Sequence, residues 1–202
     1  MAAACPDLIG KKIVGSVWTK IESKEMSGQF PASVRVEYPQ FLAVEVTNLI
    51  GAPQAWLTVR DGKTELRLST ENQKEYGKGP RARDMLGGLP LELAPRLFAG
   101  GAPCPSDEKN QDVRVKRNGD ELEVVAYDLR SHVSTRFIYR FERYAGRPWV
   151  QEAEWSRGTN RILITREEPS DPDGAPKRWG ASSPRGEIRV RWKDRTVESA
   201  SK

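Results

Sequence analysis

With 202 residues, 37% hydrophobic and 30% charged, the chain has enough apolar material for one large β domain or two small ones under a well-solvated surface. The net charge of +5 is spread among acids along candidate strands, which argues against a nucleic-acid module with its concentrated basic stripe and stacking aromatics. No run of eighteen apolar residues exists to make a spanning helix, two cysteines make no disulfide framework, and the single histidine, His132, excludes the commonest metal and triad constellations.

The dominant pattern along the chain is alternation with period two, which puts apolar side chains on one face of a strand. Val34, Val36 and Tyr38 alternate with polar residues, and Leu42, Val44 and Val46 follow. Then come Ala55, Leu57 and Val59, and after them Leu66 and Leu68. Asp61-Gly62 lies between the last two runs and is a hairpin signal, because a type I′ turn needs positive φ at its centre. Between Arg81 and Gly101 the rhythm stops. Leu89, Leu93 and Leu97 recur at the spacing of one helix face, with Pro90 suited to a first turn and Gly100-Gly101 to the end. Pro95 disfavours a helix interior, so a short or broken helix is expected there. Such a helix either plugs one end of a sheet or lids an apolar cavity.

Alternation resumes at Val113 and Val115, then at Leu122, Val124 and Ala126, and at Phe137, Tyr139 and Phe141. Ile162 and Ile164 come next, and Ile188, Val190 and Trp192 end the series. Asn118-Gly119, Ala145-Gly146 and Arg157-Gly158 punctuate these runs. A meandering antiparallel sheet of roughly ten strands is the natural reading. Residues Glu168 to Pro184 read as an exposed loop with a short strand at Lys177 to Gly180, and the tail after Glu198 as frayed. Arg185, Arg189, Arg191, Lys193 and Arg195 form the one basic cluster, which fits nucleic acid or anionic lipid headgroups equally well.

No phosphate loop, nucleophile elbow or Cys/His metal spacing is present, and Asp128 and Glu152 read as ordinary exposed carboxylates. A binder of apolar ligands, without catalysis and without cofactor or metal, is therefore expected rather than an enzyme.

Leu42 to Gly101 carries a more specific signal. A strand, Leu42-Ala43-Val44-Glu45-Val46-Thr47, runs into Asn48-Leu49-Ile50-Gly51-Ala52-Pro53 and then the Ala55–Val59 strand. Leu86-Gly87-Gly88-Leu89-Pro90-Leu91 and Arg96-Leu97-Phe98-Ala99-Gly100 follow in order, and Gly186-Glu187-Ile188-Arg189-Val190-Arg191-Trp192 closes the chain. This layout resembles the LolB-like family of outer-membrane lipoprotein receptors, on the LolA-like fold.

The resemblance implies a mainly β protein with short helices: a strongly curved antiparallel sheet, a half-barrel, closed by a helical lid over an apolar cavity. It implies a single domain over residues 12–198, after an N-terminal lipidation and linker segment 1–11 and before a tail 199–202. Acyl chains would lie against Trp18, Val36, Val44, Leu57, Leu66, Phe137, Tyr139 and Trp155 on the inner face, under a lid of Leu89, Leu93, Leu97 and Phe98. Leu49, Ile50 and Gly51 correspond to the family's membrane-insertion loop, with Leu49 where the family has proline. They either form an exposed tip or tuck into the core. Ala2-Ala3-Ala4-Cys5 looks like the end of a lipoprotein signal, which implies lipidation of Cys5; a Cys5–Cys104 disulfide in an oxidising periplasm is the other reading.

The function implied is that of a monomeric, lipid-anchored outer-membrane protein with its body in the periplasm. It would receive acylated lipoproteins from a LolA-like carrier and pass them to outer-membrane lipid, without nucleic acid. The alternative is an envelope lipoprotein of the same fold that serves as a scaffold or sensor through protein contacts.

Overall fold

Wherever the alternation is clean, the chain extends. The computed structural model describes residues 3–24, 27–69, 74–76, 85–105, 110–169 and 175–198. Six strands form the first half: β1 (Lys12–Ser23), β2 (Ser27–Glu37), β3 (Phe41–Thr47), β4 (Pro53–Arg60), β5 (Lys63–Leu68) and β6 (Lys74–Tyr76). Seven form the second: β7 (Gln111–Asn118), β8 (Glu121–Asp128), β9 (Val133–Tyr144), β10 (Arg147–Arg157), β11 (Asn160–Arg166), β12 (Arg178–Ser183) and β13 (Gly186–Glu198). The expected short strand at Lys177 to Gly180 is β12.

All belong to one sheet in the order β6-β5-β4-β3-β2-β1-β13-β12-β11-β10-β9-β8-β7. Every pairing is antiparallel, and β1 joins the two meanders by pairing along its whole length with β13. The terminal strands thus lie in the middle, and β6 and β7 are the edges of an unclosed sheet. The local turn signals act as expected: Asp61 and Gly62 have φ of 48° and 73°, Ala145 and Gly146 48° and 76°.

The sheet has thirteen strands rather than about ten. Two long strands escape the alternation rule for local reasons. β1 has apolar residues on both parities, and β10 contains a bulge between Val150 and Glu152 that returns Ala153 and Trp155 to the inner face.

Topology settles the fate of the central segment. β6 and β7 lie at opposite edges, so the chain between them must cross the sheet, and residues 85–105 do so on the inner face. Leu86, Leu89, Leu91, Leu93, Leu97 and Phe98 are all buried there, each contributing roughly 1.5–3 kcal/mol by removal from water. Phe98 sits edge-on to Trp179 and Trp192, with ring centroids 5.1 and 6.5 Å away. The only helix among the described residues is one turn and a half, α1 (Ala94–Phe98). Pro95 is accommodated because it stands in the first turn, where its missing N–H has no intrahelical partner to lose; Pro90 lies before the helix.

Among the described residues no helical lid covers a cavity. The expected lid residues Leu89, Leu93, Leu97 and Phe98 are filling of the hydrophobic core. A backbone buried this way needs internal partners for its polar groups. Arg166 Nη2 donates to the Gly100 carbonyl at 2.5 Å, Arg96 Nε to that of Ala102 at 2.6 Å, and Tyr139 Oη to that of Pro103 at 2.7 Å. Gly87, at φ 64°, passes so close to β13 that a Cβ would lie 2.3 Å from the Glu187 carbonyl carbon, so only glycine fits.

Candidate functional site: a filled inner face and an exposed apolar turn

Among the described residues the inner face is mostly apolar from β5 to β8. Of the eight residues expected to line an acyl cavity, Val36, Val44, Leu57, Leu66, Phe137, Tyr139 and Trp155 are buried within one core cluster. They share that cluster with the crossing segment rather than with open space. Trp18 is a correction. It is 36% exposed on the outward face, with Lys193 Nζ 4.3 Å from its ring centroid. The inward positions of β1 are Ile13, Val17, Thr19 and Ile21, and Thr19 can face inward because its hydroxyl donates to the Phe30 carbonyl at 3.0 Å.

Two charged groups are held inside this face. The Arg166 guanidinium is pushed down to about 9 by burial and, to a lesser extent, by the nearby Arg96 charge, yet stays protonated at neutral pH. It stacks on Trp149, 4.1 Å from the ring centroid. Arg96 spreads its guanidinium between Ala102, Pro6 and Tyr38 Oη, tying the N-terminal segment, the crossing segment and the end of β2 together. Burial raises the Tyr139 hydroxyl well above its ordinary range.

The N-terminus belongs to the same assembly. Ala4 and Leu8 are buried in the core, and Cys5 forms a disulfide with Cys104, with Cα atoms 5.8 Å apart across 99 residues of sequence. This overturns the expected lipidation of Cys5, because a sulfur shared with Cys104 has no valence for a thioether to lipid. The disulfide is the other reading of these two cysteines, and it forms because the end of the crossing segment lies beside the N-terminal segment.

The β3–β4 turn is the opposite case. Leu49 and Ile50 are 80% and 89% exposed, the largest exposures among the large apolar residues described. The turn is built, not loose. Asn48 Oδ1 accepts from the backbone N–H of Ile50 at 3.1 Å and of Ala52 at 2.8 Å, and the Gly51 N–H donates to the Asn48 carbonyl at 3.0 Å. Gly51 takes φ 86° with nothing within 4 Å of where a Cβ would stand, and the two apolar side chains point at solvent. The alternative of Leu49 and Ile50 tucked into the core is not what the fold does.

His132 and the singled-out carboxylates play structural parts. His132 closes the β8–β9 turn at φ 56° with Nδ1 2.9 Å from Tyr127 Oη. Asp128 accepts from the backbone N–H groups of Ser131 and Arg130, which lowers its carboxyl below the usual range. Glu152 pairs with Arg140. No cluster of three or more His, Cys, Asp or Glu that could hold a metal occurs among the described residues.

A single curved, unclosed antiparallel sheet, with one short helix among the described residues, is a fold found in known structures. The chain superposes on a LolA superfamily protein of Nitrosomonas europaea with a TM-score of 0.57 at 10% identity, covering 99% of this chain and 90% of that one. It superposes on an outer membrane lipoprotein-sorting protein domain from Vibrio parahaemolyticus with a TM-score of 0.56 at 8% identity, covering 96% and 87%. A DUF1329 family protein from Desulfovibrio piger gives 0.59 at 9% identity, covering 97% and 89%. The fold is LolA-like. No protein-family model and no curated protein matches the sequence.

Proposed function

We propose that the protein works in the cell envelope as a binder of lipid acyl chains, with acylated lipoproteins as cargo and the outer membrane as destination. The observation that carries this reading is the Leu49–Ile50 turn: two large apolar side chains held out in water by a dedicated hydrogen-bonded frame, on a sheet whose inner face is mostly apolar. Exposed apolar groups of this kind gain by entering a bilayer interface. The disulfide fits an oxidising compartment such as the periplasm. The fold it shares with a lipoprotein-sorting domain supports the same cargo.

An acyl chain gains roughly 0.8 kcal/mol per buried CH₂. To reach the inner face it must take the place of part of the crossing segment, so binding is an exchange of one apolar filling for another. A LolA-like carrier is the proposed donor and outer-membrane lipid the acceptor; the exchange needs no catalytic group. Attachment to the membrane then rests on the apolar turn, since Cys5 is engaged.

The second reading, a scaffold that makes protein contacts without acyl transfer, is favoured by the fully packed inner face. Native mass spectrometry of the protein mixed with an acylated lipoprotein decides between them. A stoichiometric complex that is lost when the acyl chains are absent supports the carrier. A complex that ignores acylation, or none, overturns it and leaves the scaffold.

A further inference from the structure

The outward face of the sheet carries a feature that the reading above does not use. A hollow of about 940 Å³ lies across β1, β13, β12 and β11, within the size range of small-molecule sites. Its floor is Gly180, whose neighbours in register are Thr165 on β11 and Arg189 on β13. Lacking a side chain, Gly180 lowers the floor of the hollow, and Thr165 Oγ1 and Arg189 Cγ close in to 3.2 and 3.7 Å of where a Cβ would stand.

The charges around this gap are arranged against the ordinary rule. On the outward side of the β9 region, cross-strand neighbours alternate in sign: Arg140 faces Glu121 on one flank and Glu152 on the other. At the hollow, Arg178 lies directly opposite Arg191, and Lys20 directly opposite Arg189. Opposed like charges, with Cβ atoms roughly 5 Å apart, destabilise a sheet. Lys20 and Arg189 are compensated by Glu22 and Glu187 along their own strands, and Arg178 by Glu167. Arg191 has no acidic partner among the described residues. Its other cross-strand neighbour is Trp18, over which Lys193 sits, adding a second cation to the same rim.

We propose that this hollow is a binding site for an organic phosphate, with the phosphoryl group between Arg191 and Arg178 and the organic part over Gly180, against the Trp18 side. Two opposed guanidinium forks suit phosphate better than carboxylate, because a phosphoryl group has oxygens enough to accept from both at once. Its arrival turns the Arg178–Arg191 repulsion into attraction. The source is either a phospholipid headgroup or a soluble phosphoester. The site lies on the face opposite the core, so it stands or falls independently of acyl binding.

The test is calorimetric titration of the full chain with glycerol phosphate, alongside co-sedimentation with phosphatidylglycerol vesicles in the Ile50→Glu background, which removes the apolar turn. Arg191→Glu is compared with Arg114→Glu, a reversal on the exposed edge strand β7. Arg178→Gln serves as a second variant at the site. The expected result is binding in at least one arm that weakens about tenfold or more in Arg191→Glu and in Arg178→Gln, and is unchanged in Arg114→Glu. Binding of glycerol phosphate assigns a soluble phosphoester; binding of vesicles alone assigns a headgroup. Equal weakening by Arg191→Glu and Arg114→Glu would mean diffuse attraction to a basic protein and overturns the site, as does no binding in either arm.

Discussion

Two apolar stretches of this chain meet opposite fates. Leu49 and Ile50 stand in water at the tip of a turn, whereas the leucines and Phe98 of the Leu86 to Phe98 stretch are buried on the inner face, and the carbonyls of Gly100 and Ala102 just beyond accept from Arg166 and Arg96. Hydrophobicity does not separate them. The difference is where each lies in the topology: one links neighbouring strands and never needs to meet the sheet face, while the other links the two edges and cannot avoid it. The buried stretch therefore serves stability, and the exposed one is free to serve a surface.

The comparison can be broken in four ways, the largest expected effect first. Cys104→Ser opens a loop spanning 99 residues, and loop-closure entropy alone puts the loss near 4.7 kcal/mol for a loop of about this length. A urea midpoint left where it was would show that the disulfide does not fasten the crossing segment. Leu97→Ala leaves a cavity under the sheet and is expected to cost about 2–5 kcal/mol by the same measurement. A cost near zero would mean the segment is loosely seated.

Tyr139→Phe strips the Pro103 carbonyl of its donor, for an expected loss of about 1–3 kcal/mol at neutral pH. Its pH profile is equally informative. Burial raises the hydroxyl above its unfolded value near 10, so its contribution is intact below about pH 10 and is lost as pH rises from there toward the folded value. The wild type should lose stability in that window more steeply than Tyr139→Phe; parallel profiles would contradict the burial of the phenol.

Ile50→Glu should change stability by no more than about 0.5 kcal/mol, because the side chain packs on nothing. Its effect belongs to the membrane: flotation with liposomes should fall while the acyl-dependent complex persists. Unimpaired flotation would remove the turn from membrane docking.

Much of the β structure was legible locally. The runs from Val34 to Leu68 and from Leu122 to Trp192 alternate as strands do, and the paired positive-φ turns at Asp61-Gly62 and Ala145-Gly146 sit where the sequence puts them. β1 was harder, because Val14 and Trp18 on one parity compete with Ile13, Val17 and Ile21 on the other, and only a hydrogen-bonded Thr19 decides between them. That ambiguity placed Trp18 on the wrong face. The basic cluster near the C-terminus was visible but not its division: Arg189, Arg191 and Lys193 are exposed, whereas a one-residue irregularity opposite Ser16 and Val17 shifts the register, and Arg195 is half-buried against Trp192. The candidate site was legible as residue types and not as geometry.

What the sequence determined by itself is everything that depends on neighbours a few residues away: strand, turn, the apolar face of each run and the frame of the Asn48 turn. Only the tertiary structure decided between lipidation of Cys5 and its disulfide with Cys104, that the leucine-bearing segment fills the sheet instead of covering it, and that two arginines face each other beside Gly180. These are relations across dozens of residues, set by strand order and register, and period-two alternation is blind to both because each strand satisfies it without knowing its partner.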